Sequence, residues 1–278
     1  LIIIEAREDA DIITLVDVNA AVAQSMAERR RLNVPCYTDL SEALADTGGN
    51  LVIDVTIPAA HKQVVTTSLK SGYHVMGEKP VTETLQDAKE VVQAAEKTGK
   101  NYSVMQNRRY TKHIRTLRKL LVENKIGRIG SIHADFFIGP HFGGFLEKVD
   151  SPLLIDMAIH TFDQARFLTG ADAVSVYCHE YNPPGSWYEG NASAVCMFGM
   201  SDGSVFLYRG SWYAEGHKTS WGCRLANHGN KRKCDMGRGR VIGFGNERPC
   251  KAIRIYSSGS DGNRRHPLVR SGRTCRLP

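Results

Sequence analysis

Asp156, His160 and Asp163 recur at i, i+4 and i+7 within LLIDMAIHTFDQARFLTG (153–170), the spacing that places three side chains on one face of a helix. Leu154, Ala158, Thr161, Ala165 and Leu168 form a separate, mostly apolar face. A histidine beside a carboxylate is equipped to take a proton from an alcohol, because the carboxylate orients the imidazole and stabilises its charged form. The same face also reads as a solvated helix surface, or as one histidine and two carboxylates around a metal ion. A second candidate is VMGEKPVTE (75–83), where Glu78 and Lys79 stand between Gly77 and Pro80. Glycine permits unusual backbone angles and proline fixes φ, so such a turn can hold a lysine rigidly. Its plainer reading is a solvated connection from strand to helix.

The elements that must position these residues alternate. DIITLVDVN (11–19) reads as a buried strand ending in Asp17, followed by an alanine-rich helix that Asn19 caps. VPCYT is a short strand, DLSEALAD a short helix capped by Asp39, and NLVIDVT a continuous apolar strand. A helix from about His61 to Ser71, the strand YHVM, a helix from Thr82 to Thr98 closed by Gly99, and the strand YSVMQ continue the series. Such alternation predicts a parallel, doubly wound sheet, an α/β Rossmann-type domain over residues 1–110. After the helix TKHIRTLRKLLVENKIG the pattern changes. RIGSIHADFFIG, a helix from about Leu153 to Leu168, and the strands AVSVYCHEY, ASAVCMFGM and SVFLYRGSWY, the last two joined at an SDG turn, predict an α+β domain with an open, mainly antiparallel sheet over residues 111–221.

Asp17 stands where a dinucleotide-binding fold places an acid for the adenosine ribose hydroxyls, which favours NAD over NADP; a helix cap is the alternative. The glycine fingerprint belongs about 20 residues upstream of that acid, before Leu1. The expectation is that the first strand and its phosphate loop are missing and that the chain as given binds NAD poorly.

The chain has 278 residues and a net charge of +7, unevenly distributed. Residues 222–278 hold 14 Lys and Arg against 3 Asp and Glu, a net +11, whereas the body is at −4. Cys36, Cys178 and Cys196 are scattered, while Cys223, Cys234, Cys250 and Cys275 crowd the end; the lack of a CxxC pair argues against a zinc ribbon or a redox motif, and the scattered thiols suit a reducing, cytoplasmic compartment. No run approaches the roughly 18 apolar residues of a membrane span. The basic end lacks the periodic helix, strand or aromatic interleaving of a nucleic-acid surface. Deleting one base in the Gly222 codon lets the neighbouring frame read WDADWRITGTKGSVIWDG from Trp221 onward, an alternating strand, a turn and a second strand. The expectation is that residues 222–278 are an out-of-frame tail that does not pack as sheet strands and leaves the preceding strand as an exposed edge. A genuine basic extension is the rival.

The EKP turn, the later xDxxxHxxDxxRFLxG helix and the terminal open sheet resemble the glucose-fructose oxidoreductase, inositol dehydrogenase and MocA (Gfo/Idh/MocA) family over roughly residues 10–221. The resemblance implies a cis peptide between Lys79 and Pro80, aiming the lysine at nicotinamide and substrate. It implies that Lys79 binds the reacting hydroxyl, that His160 is the acid/base, and that Asp156 positions substrate or histidine. Thr56, Pro58 and His61 in TIPAAH match the family's TPPxxH beside the cofactor, with Glu78 from the turn. Asn107 and Arg109 in NRRY match its NxRF, Asn107 toward cofactor and Arg109 toward substrate. His141, Phe142, Trp187 and Tyr188 could line the substrate pocket or simply pack. A GGG stretch common in the family is replaced by DSPLLIDMAIH, so the substrate loop is expected to differ.

The resulting expectation is an NAD-dependent dehydrogenase that oxidises a secondary hydroxyl of a sugar, cyclitol or related polyol. It would work without metal, nucleic acid or membrane, as a homodimer or homotetramer. The alternatives are a non-catalytic nucleotide- or sugar-binding regulator on the same fold, or an inactive fragment as translated.

Overall fold

The computed structural model describes residue 4, residues 7–216, 218–220 and 222, and three strands at 224–229, 232–237 and 240–245. Strands and helices alternate first: β1 (Leu15–Val16), α1 (Ala20–Arg30), β2 (Cys36–Tyr37), α2 (Leu40–Thr47), β3 (Leu51–Asp54), α3 (Pro58–Lys70), β4 (His74–Gly77), α4 (Leu85–Thr98) and β5 (Tyr102–Val104). All pairing in this half is parallel, in two separate sheets of order β1-β2 and β3-β4-β5. Caps set the helix starts. The side chains of Asn19, Asp39 and Thr84 accept from the first-turn amides of Ala21, Glu42 and Asp87. Helix α3 begins three residues before the expected His61, because Pro58 at its first position has the helical φ already and no amide to lose. Val65, Leu69, Val75 and Val91 close the core between α3, α4 and the sheet.

The second half is one seven-stranded mixed sheet with helices on one face. Its elements are α5 (Lys112–Val122), β6 (Ile129–Phe137), a π-helical turn (Leu153–Ala158) that runs straight into α6 (Ile159–Thr169), β7 (Ala173–Tyr181), β8 (Ser193–Met200), β9 (Val205–Ser211), β10 (Arg224–Gly229), β11 (Arg232–Gly237) and β12 (Arg240–Gly245). The order is β12-β11-β10-β6-β9-β8-β7, and only β6 and β9 pair in parallel. Trp212, Tyr208, Phe136, Phe206, Leu117 and Leu168 are fully buried between sheet and helices. The ring of Phe162 on α6 meets those of Phe198, Phe206 and Tyr208 edge-on, so aromatic contacts lock α6 to the sheet.

The expectation that residues beyond 221 would not pack as strands is overturned for the described part. β10 pairs antiparallel with β6, and β11 and β12 follow it outward. Nor is β9 an edge: it lies between β6 and β8, because the chain crosses over before returning beside β6. Backbone hydrogen bonds do not read side chains, and the row of amides and carbonyls on β6 accepts any extended partner. Side chains do register the strain of this segment. Leu225 and Asn227 are the two fully buried positions of β10, and neither amide atom of Asn227 has a hydrogen-bond partner among the described residues. The neighbouring frame would place tryptophan and isoleucine at positions 225 and 227. An unpaired buried polar group costs about 1–3 kcal/mol. Asn227→Ile should therefore raise the thermal unfolding midpoint by roughly a few degrees in calorimetry. A lowered midpoint would show that the position is not the apolar inward site described.

Candidate active site

The lysine turn leaves the carboxyl end of β4, where side chains from a parallel sheet converge on a ligand crevice. The Lys79–Pro80 peptide is cis, as the family resemblance implied. Two backbone bonds and the His61 ring hold the turn: Glu78 N donates to Asp54 O (2.9 Å), Met105 N to Gly77 O (2.8 Å), and the His61 ring nitrogens lie 2.8 Å from Pro80 O and 3.0 Å from Thr56 O. Buried His61 thus clamps the turn to the loop after β3. Gly77 leaves room for Tyr102, whose ring would lie 3.1 Å from any added Cβ.

Lys79 Nζ reaches across to the second half of the chain and donates to both Asp156 O (2.9 Å) and the Asp156 carboxylate. Arg109, in a 3₁₀ turn at Asn107–Tyr110, forms a bidentate pair with Asp163 and lies over the ring of Phe167. The three residues expected to act together on one helix face are therefore distributed. Asp156 serves Lys79, Asp163 serves Arg109, and His160 Nδ1 is buried with no hydrogen-bond partner among the described residues. Asp156 lies in the π-helical turn and His160 in the first turn of α6. With both carboxylates engaged by cations, the expected histidine–carboxylate hydrogen bond is not made among the described residues, and among them no group of three His, Cys, Asp or Glu is placed to hold a metal ion.

Burial holds His160 well below its ordinary value, at about 4, helped by the positive charges of Arg108 and Lys79 and opposed by Asp156 and Asp163. Arg108 escaped the sequence reading; it lies beside the NRRY arginine that was chosen, and its Nη2 is 3.4 Å from Met157 Sδ on the π-helical turn. In the loop after β6, His141 is exposed and stacked on Trp187 with ring centres 3.8 Å apart, while Trp187 Nε1 and Tyr188 Oη both donate to Pro140 O at 3.1 Å. Phe142 is half exposed and meets Trp212 edge-on.

The expected cofactor residues lie at strand ends. Asp17 follows β1, and one of its oxygens accepts from Asn19 N (2.8 Å). Thr56 follows β3, its amide and hydroxyl both donating to Asp54 Oδ1 (3.0 and 2.7 Å). Pro58 opens α3, whose N-cap Ile57 makes no side-chain capping bond, while the Ala60 amide donates to Ile57 O (2.9 Å). Asn107 is exposed. Asp54 Oδ2 and Gln106 Oε1, by contrast, are buried acceptors without partners among the described residues. An acid after β1 and unspent acceptors at the ends of β3 and β5 suit a dinucleotide, so the residues present fit such a cofactor.

Comparison with known proteins agrees. Two family models match in succession: an oxidoreductase family with an NAD-binding Rossmann fold over residues 2–106, and its GFO/IDH/MocA C-terminal domain over residues 114–233. The second match continues past the change of composition at residue 221. Inositol 2-dehydrogenase of an Arthrobacter species is 29% identical over 171 residues, covering 60% of this chain and 49% of the relative. D-xylose dehydrogenase of Paenarthrobacter nicotinovorans is 28% identical over 122 residues, covering 44% of this chain and 31% of the relative. The chain spans about half the length of the curated relatives it matches, for example 57%, 45% and 42% of three of them. Among solved structures, an Agrobacterium radiobacter oxidoreductase in complex with NAD+, L-tartaric acid and magnesium superposes with a TM-score of 0.84 at 19% identity, covering 90% of this chain and 74% of that one. With both domain models matched in order, and with the cis-proline lysine turn and the Asp156/His160 helix in place, this chain belongs to the Gfo/Idh/MocA family of NAD-binding oxidoreductases.

Proposed function

We propose that the chain is a dehydrogenase that uses NAD to oxidise a secondary hydroxyl of a sugar, cyclitol or related polyol. The observation that carries this reading is the join of Lys79 to Asp156 in the crevice that also holds the buried His160. Bound NAD would supply the hydride acceptor, held by Asp17, Thr56, the amino end of α3 and Glu78. Asp17 favours NAD over NADP because a carboxylate at the ribose repels a 2′-phosphate.

The chain's own residues account for the rest. The Lys79 ammonium donates a hydrogen bond to the reacting oxygen and stabilises negative charge as it develops there. Asp156 holds that ammonium in place. His160, kept neutral by burial and two nearby cations, takes the hydroxyl proton. Its low basicity suits handing the proton on. Arg109, spent on Asp163, supports the crevice wall, while His141 and Trp187 offer a stacked aromatic surface to a sugar ring. The domain division proposed is a cofactor domain to about residue 110 and a substrate domain after it. The open face of the sheet exposes Tyr177, Met197 and Val195, which supports a homodimer or homotetramer. No described helix is long and apolar enough to cross a membrane, and the three free thiols Cys36, Cys178 and Cys196 support a cytoplasmic address.

With saturating NAD and a panel of sugars and inositols, reduced-nicotinamide absorbance should appear for the true substrate. Lys79→Ala and His160→Ala should each lower turnover by about 10²- to 10⁴-fold with unchanged circular dichroism. A Lys79→Ala protein with near wild-type turnover would remove the assignment, and NAD binding without turnover on any polyol would favour a regulator.

The histidine gives a second expectation. A ring with a folded pKa of about 4, against 6.5 ordinarily, binds its proton more tightly when unfolded. The stability that neutral His160 contributes is fully present above 6.5 and is lost as pH falls through that window toward about 4. NMR should show the His160 ring neutral until well below 6.5, and His160→Gln should flatten the fall of the unfolding midpoint with acid. A ring that titrates near 6.5 would contradict the dry, cation-flanked setting.

A further inference from the structure

Cys178 on β7 and Cys196 on β8 stand directly opposite one another in the antiparallel ladder. Their sulfurs are 3.3 Å apart. Opposed residues in such a ladder have Cα atoms about 4.5 or 5.5 Å apart, and both values lie inside the range a disulfide spans, so closure needs side-chain rotation and no strand movement. The two thiols differ in access. Cys178 is exposed on the outermost strand, whereas Cys196 is buried in the main core beside Ala194 and Met200. We propose that Cys178 and Cys196 form a redox-active dithiol that closes to a cross-strand disulfide by exchange with a low-molecular-weight disulfide.

The exchange balances in two steps. The Cys178 thiolate attacks one sulfur of the small disulfide, whose sulfur–sulfur bond breaks and releases one thiol. Cys196 then loses its proton and attacks Cys178 Sγ, expelling the second thiol. Two protein thiols are oxidised and one external disulfide is reduced to two thiols. The order follows from access: burial pushes the Cys196 thiol up, so it is the resolving group and the exposed partner is the entry point.

The site also touches the catalytic half of the molecule. Glu180, two residues along on the same face of β7, accepts a hydrogen bond from Ser151 Oγ (3.1 Å), and Ser151 O accepts one from Ile155 N (3.2 Å), the residue before Asp156. Among the described residues β7 pairs only with β8, so closing the dithiol ties this strand, and with it the anchor of the π-helical turn, to the sheet interior.

The test uses the full chain in native buffer with oxidised glutathione, followed by alkylation, digestion and mass spectrometry. The expected product is one joined species containing Cys178 and Cys196, released by dithiothreitol and unaffected by Cys36→Ser. Cys178→Ser should abolish the joined species and leave Cys196 unmodified; Cys196→Ser should leave glutathione on Cys178 as a stable mixed disulfide. Cys178 is exposed, so its serine variant keeps the comparison sound even where the core variant fails to fold. Wild-type protein whose Cys178 carries glutathione while Cys196 stays a free thiol would overturn the proposal, as would two intact thiols under excess oxidant.

Discussion

The ion pair from Lys79 to Asp156 spans 77 positions of sequence and joins the two halves of the molecule. Both side chains are mostly buried, at 19% and 27% exposure. Charges taken this far from water are tolerated only when geometry and extra hydrogen bonds compensate, and here the lysine finds the Asp156 carbonyl as well as its carboxylate. Arg109 and Asp163 repeat the arrangement a short way along α6. Together the two pairs dock α6 and its π-helical entry against the carboxyl ends of the parallel strands, and the crevice exists because they do.

The same constraint sets the chemistry of His160. Both carboxylates near it are committed to cations from the other half, so the imidazole is left without a carboxylate hydrogen bond and close to positive charge. Burial and repulsion then act in one direction, toward the neutral ring. An imidazole kept neutral this way depends on the structural ion pairs more than on a dedicated partner. His61 plays the complementary part in the opposite wall, where its ring lies between the carbonyls of Pro80 and Thr56 and braces the turn that aims Lys79.

The seven-stranded sheet shows how little a backbone ladder demands of a sequence. β10 continues the sheet through antiparallel pairing with β6, yet it brings into the interior beside Leu225 an asparagine whose amide has no partner among the described residues. Ladder hydrogen bonds are common to all residues, whereas the alternation of inward and outward side chains is specific to a selected strand. That difference is why the change at residue 221 is plain in charge and cysteine content but hardly visible in topology.

Much of the fold was legible by itself in the chain. The alternation of apolar runs with capped helices, Asn19 and Asp39 in place, announces parallel pairing, because local capping and periodicity act over a few residues; the helix expected from Thr82 starts at Leu85, where Thr84 caps it. The GEKP turn and the Asp156/His160 helix were equally readable, being short motifs with a chemical reason for each residue. Pairing across the crevice was not readable. Spacing alone set Asp156 and Asp163 beside His160, but the tertiary structure gave them to Lys79 and Arg109, since charges separated by more than fifty residues choose partners only after the domains dock. Nor did spacing reveal the π-helical turn, the position of β9 inside the sheet or the meeting of Cys178 with Cys196. Each depends on register and crossover between distant segments, which no local pattern encodes.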